Sequence, residues 1–148
     1  MTRREVRIAT MQILYSADLN GISVEEAIKD VGQHVLTDDV KNFLNMVVSN
    51  KEKIDDLISK SLENYSLNRL NIVDRAIIRL ATAEFIDGKT DKKIIINEAL
   101  EITKQFSDQG DHKATSFNNK LLDNIYKNNH HIKLLYLYLH KMFFMSTY

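Results

Sequence analysis

The sequence predicts an all-α protein, a single domain of about seven helices. Three observations predict it. The chain of 148 residues has no proline and four glycines, and its Leu, Ile, Lys, Glu and Asn content favours helices joined by short polar turns. Apolar residues recur at helical spacing along most of its length. The one β-like run, Ile94-Ile95-Ile96, continues at helical period through Ala99, Ile102 and Phe106, and has no second strand to pair with.

The length suits one domain that buries about 70% of its unfolded surface. Lys plus Arg and Asp plus Glu number 20 each, so the formal net charge is zero. No global field draws the protein to nucleic acid, and any such binding must come from a local patch. Cysteine is absent, which excludes disulfides and thiolate metal sites and agrees with a cytoplasmic location. No stretch is apolar for long enough to span a membrane. Arg3, Arg4 and Arg7 before Ile8–Ala17 faintly suggest a signal peptide, but Thr10, Gln12 and Ser16 make it an amphipathic helix.

That first helix runs from residue 2 to about 19. Val6, Thr10, Ile13 and Ala17 form its stripe, broadened by Ala9 and Leu14. Arg3, Arg4 and Arg7 share a face, at the end where a helix prefers acids. Two readings stand side by side. The cluster is a phosphate site beside free backbone N–H groups, or a solvated terminus with Glu5 as partial compensation. Tyr15 sits among apolar residues and is core or half-buried.

Asn20-Gly21 is a turn, and Ser23-Val24-Glu25-Glu26 opens a second helix to about Val35 as a capping box. Thr37-Asp38-Asp39 opens a third, with Val40, Phe43, Leu44, Val47 and Val48 inward. Around Asn50 the pattern restarts as Ile54, Leu57, Ile58 and Leu62, either after a kink or in a new helix. Asp55-Asp56 reads as a solvated pair.

The next stretch, Leu67–Phe85, organises the rest. Val73, Ile77, Leu80, Ala81 and Glu84 recur at helical spacing, and Ile72, Ala76 and Ala83 widen the face beyond what one wet side allows. It is expected to be a central helix with neighbours on several sides. Asn71 is its N-cap, with Asp74 completing a near capping box, and Gly88 closes it. Asp74, Arg75, Arg79 and Glu84 are read as a solvated edge, with docking of a partner as the alternative.

A sixth helix ends at Phe106, and Ser107–Asp111 is a loop. The seventh runs from about Lys113 to Lys127, with Phe117, Leu121, Leu122 and Ile125 as its core stripe. From His130 the chain turns apolar and aromatic: an extra helix, a self-association surface or an exposed liability. His130, His131 and His140 form no recognisable ligand set, so no metal is assigned. No phosphate loop, nucleophile elbow or His-Glu-x-x-His motif occurs. His112 alone offers an acid or base without a partner, so no catalytic residue and no cofactor is expected.

Three segments together resemble the transcription antitermination factor NusB family. They are Arg3-Arg4-Glu5-Val6-Arg7 running into Met11-Gln12-Ile13-Leu14-Tyr15; Asn68-Arg69-Leu70 with Val73–Ala81 and Glu84; and Ile96–Phe106 followed by Phe117 and Asn119. The similarity covers residues 1 to about 127. It implies two small packed helical bundles over residues 1–128, with 129–148 as an apolar extension outside the family pattern. It implies a non-enzymatic protein that pairs with ribosomal protein NusE and binds single-stranded boxA RNA. With other Nus factors it would keep RNA polymerase elongating, notably on ribosomal RNA operons. Some family members form a homodimer.

On the resemblance, RNA contacts are expected at Arg3, Arg4, Arg7, Gln12, Phe117 and Asn119, and the NusE side at Tyr15, Asp74, Arg75 and Glu84. Lys113 beside His112 replaces a cation that the family carries directly before the Phe, or that contact is lost. Phe117 would stack a base, with core packing as its competing role. Two departures stand out. A few extra residues lie between Phe106 and Phe117, and Ser116 precedes Phe117 where the family carries Lys or Arg. Asn118 and Lys120 replace the Val and Gly of the family's Phe-Val-Asn-Gly segment. Rival readings are a helical scaffold that binds only protein, and the RNA-binding part of a ribosomal RNA methyltransferase. The latter would need a downstream cofactor domain.

Overall fold

Seven α-helices make up the computed structural model, which describes residues 1–145: α1 (Arg3–Asn20), α2 (Val24–Val31), α3 (Asp38–Ser49), α4 (Lys51–Ser61), α5 (Ile72–Asp87), α6 (Lys92–Phe106) and α7 (Lys113–Met145). Short 3-10 turns occupy Gln33–Val35 and Leu67–Arg69, and no strand occurs among the described residues. None of these helices is long and apolar enough to cross a membrane.

The helix starts follow their side chains. Thr2 and Glu5 form a reciprocal capping box at α1, which offsets the misplaced arginine charge there. Ser23 accepts from the Glu26 N–H and Thr37 from the Val40 N–H. At α2 only this forward half of the expected box forms, and the helix stops at Val31 because Gly32 leaves the helical region. The restart near Asn50 is a break between two helices. Asn71 caps α5 by accepting from the Val73 N–H. Asp74 takes no part in that cap, because its carboxylate is held elsewhere.

Two bundles share α5. Helices α1, α2 and α3 gather on one side of it, while α4, α6 and α7 surround the other. From Ala76 to Phe85 every residue but Arg79 is buried, so α5 has no solvated edge. Its polar residues are instead cross-links. Arg75 donates to Asp18, and Arg79 bridges Asp55 and Asp18. Asp55 is therefore paired, not solvated. Three buried threonines, Thr10, Thr82 and Thr103, return their hydroxyls to the carbonyl four residues back, which satisfies each hydroxyl hydrogen within its own helix.

The last helix departs most from expectation. It continues unbroken through residue 128 to Met145. Leu121, Leu122 and Ile125 face the core as expected, but Phe117 is 42% exposed and Asn118 takes the buried place beside it. Asn129 and Lys133 tie the helix to the body, both donating to the Phe85 carbonyl at the end of α5. Val48 also points outward, 52% exposed.

Candidate functional site

The three N-terminal arginines have three different surroundings. Arg3 is exposed, and its guanidinium lies 4.8 Å over the Phe43 ring. It edges a polar cleft of about 400 Å³ that Asp39, Asn42, Lys89 and Thr90 also line. Arg4, with half its side chain exposed, makes a two-pronged contact to Glu98 on α6 at 2.8 and 3.1 Å. The hydrogen bond from Arg4 holds the Glu98 carboxyl below its usual range.

Arg7 does not stand on this face. It is 4% exposed and donates to Glu84 at 3.0 and 2.8 Å. Burial alone would lower the pKa of its guanidinium, but the Glu84 hydrogen bonds and charge outweigh it and hold the proton more firmly. A guanidinium this deep and already paired cannot reach a phosphate without abandoning a buried carboxylate. Glu84 is 3% exposed, and the same pairing withdraws it from any partner surface. Arg7 and Glu84 are thus an internal clasp between α1 and α5.

Further along α1, Gln12 is exposed and Tyr15 half-buried against the core. Arg75 is engaged by Asp18 and the Asn68 carbonyl.

Asp74 marks the opposite end of α5 from Glu84. It is 9% exposed and accepts from Ser107 at 2.7 Å and from Asn118 at 3.0 Å, both on Oδ1. The second amide hydrogen of Asn118 goes to Thr103 at 3.1 Å, and its Oδ1 is buried without a bond. The asparagine that departs from the family segment therefore does not distort α7. It ties together α5, α6 and α7. Lys120, the other departure, points to solvent and reaches Glu63 at 3.8 Å.

The loop before α7 folds around Asp108, whose carboxylate accepts from the Thr115 hydroxyl and from the Gly110 and His112 N–H groups. These bonds, the Thr115 one foremost, depress its pKa. Lys113 opens the helix in the open, and Asn119 is exposed one residue past Asn118. Phe117 is not a core residue. Its ring lies 5.7 Å from that of Tyr65, tilted by 59°. Tyr65 in turn carries Arg69 over its face at 5.0 Å and donates its hydroxyl to the Arg69 carbonyl. Next to Phe117 lies a shallow hollow of about 150 Å³ lined by Leu62, Lys120 and Asn124. No local signal in the sequence marks Tyr65 and Arg69, because only the fold brings residue 65 beside 117.

The arginine face and the aromatic cluster therefore sit toward opposite ends of α5. Asp74 and Glu84, which mark those ends, are separated by about 15 Å at the rise of an α-helix.

Fold and surface together define a helical adaptor that offers separate cationic and aromatic contact points. Residues 4–127 match the NusB family model, and the chain belongs to that family. It is 35% identical over 127 residues to the transcription antitermination protein NusB of Listeria innocua, covering 84% of this chain and 96% of the relative. Identity to the Bacillus subtilis protein of that name is 38% over 127 residues, with 84% and 95% covered. Among solved structures, NusB of T. maritima superposes with a TM-score of 0.76 at 32% identity, covering 86% of this chain and 92% of that one. A chain from the complex of antitermination factors NusB and NusE with double-stranded RNA gives 0.72 at 30% identity, with 84% and 96% covered.

Proposed function

We propose that this protein is a cytoplasmic transcription antitermination factor that binds boxA-type RNA together with ribosomal protein NusE. Membership of the NusB family supports the reading: the relatives matched nearly end to end are named transcription antitermination proteins, and a solved relative is in complex with NusE and double-stranded RNA. The surface suits it. Single-stranded RNA is held by cations along its phosphates and by rings that stack on splayed bases. Arg3 and Arg4 supply the cations, and Gln12 is exposed more than two turns further along α1. Phe117 supplies a ring, with Lys113 and Asn119 near it. Tyr15 and Arg75, both half-buried, are the residues left to face NusE, with the buried Asp74 carboxylate only at the margin of the surface.

The test is fluorescence anisotropy of a labelled boxA-type RNA titrated with the protein alone and with NusE, against scrambled RNA and a duplex of the same sequence. The duplex arm is included because the solved NusB–NusE complex holds double-stranded RNA. Preference for the boxA sequence that strengthens with NusE is expected. Equal affinity for scrambled RNA, with NusE association intact, would reduce the protein to a protein-binding scaffold.

A further inference from the structure

We propose that the distal part of α7, Ile132–Met145, is a helix–helix interface through which two copies of this chain pair. Beyond Lys133 every described residue is exposed, and large apolar side chains from Ile132 to Met145 are 43% to 69% open to solvent. A monomer rarely exposes so continuous an apolar surface. This segment lies past residue 127, where the family match ends.

The pattern of the side chains identifies the occupant. Ile132, Leu135, Leu139 and Met142 are spaced three, four and three apart, the seam of paired helices. Tyr136 and Phe143 flank the seam on one side, and Tyr138 and Met145 on the other. Lys133, His140 and Lys141 lie around the opposite side, interspersed with Leu134, Leu137 and Phe144, so it is the opposite side that carries the charge. The seam itself carries no charged residue, so what it matches is another apolar stripe of the same spacing, and a second copy of this helix supplies one. A two-fold pairing places the same residues on both sides and keeps the cations outside.

Area and rigidity agree. With large side chains about half exposed or more, the two seams offer on the order of 1,000 Å² together, the lower bound for a specific interface. The helix is held at its root by Asn129 and Lys133 on the Phe85 carbonyl. Along its length, Tyr136 stacks on His140 at 5.9 Å and His140 meets Phe144 at 4.6 Å. These contacts one turn apart stiffen the helix before any partner arrives, so less ordering entropy is lost on pairing.

The experiment is sedimentation velocity on the full chain at micromolar concentration, with and without vesicles of anionic phospholipid. The natural protein is expected to sediment as a dimer and to ignore the vesicles. Leu135→Lys with Leu139→Lys should give monomers with unchanged helical circular dichroism and RNA affinity. Leu137→Lys, off the seam, should remain dimeric. The chain has no cysteine, so single substitutions give an independent readout that leaves the body untouched. Leu135→Cys or Leu139→Cys should cross-link copies on mild oxidation, and Leu137→Cys should not. A monomeric natural protein, whether free or bound to vesicles, would overturn the proposal. So would cross-linking without preference between seam and off-seam positions.

Discussion

Arg3, Arg4 and Arg7 are alike in sequence and do three different things. Spacing showed that they begin one helix and share a side of it. It could not show that Glu84, 77 residues away, would close over Arg7. Replacing Arg7 with Ala should therefore lower stability by about 3–5 kcal/mol, the cost of stranding a buried charge, as read from denaturant midpoints. The salt dependence of RNA binding should barely change. Arg3→Glu with Arg4→Glu should do the reverse, leaving the fold intact and flattening the logarithmic salt slope by up to ~0.7 per lost phosphate contact. Unchanged slopes would remove this face from RNA recognition. Glu98 holds Arg4 and, on the proposed function, would compete with RNA for it, so Glu98→Gln should tighten RNA binding and steepen that slope. Phe117→Ala should cost roughly 1–3 kcal/mol of RNA affinity with little loss of fold, because the ring is already half outside.

At the level of elements, most helices were legible because their caps and stripes are local. The Ser23, Thr37 and Asn71 starts, the Gly88 stop and the helical reading of Ile94–Ile96 all depend on neighbours within a turn or two. The Thr2–Glu5 box is equally local, a threonine three residues before a glutamate. What spacing could not decide was which of two adjacent residues, Phe117 or Asn118, turns inward. Asn118 goes in because Asp74 and Thr103 await it, and both belong to other helices. Asn118→Asp tests this convergence. A second carboxylate beside Asp74 should destabilise the protein increasingly as pH rises through the carboxylate range, and far less in acid. The neighbouring loop has its own acid response. Asp108 titrates below its unfolded value, so its contribution is present above about pH 4 and is lost as pH falls through the depressed value. The amide resonances of Gly110 and His112 should move in that lower window, ahead of global unfolding.

At the scale of the whole molecule, the two-bundle arrangement is built on one helix that is apolar nearly all round; a central helix with neighbours on several sides was legible in Leu67–Phe85, while the division into two bundles rested on the family resemblance. The continuation of α7 past the body was not, since an apolar tail reads equally well as packed or projecting until its contacts are known. The placing of the arginine face and the Tyr65–Phe117 cluster toward opposite ends of α5 has a consequence for ligand size. If both places contact RNA as proposed above, the helix acts as a ruler. An oligonucleotide too short to reach from one end to the other can hold only one weak contact at a time. Once the strand is long enough, the second contact forms within a molecule already captured, and the two affinities multiply through effective concentration. Titration with RNAs lengthened one nucleotide at a time should show a step in affinity, not a ramp. Phe117→Ala should erase the step while leaving the short-strand affinity where it was.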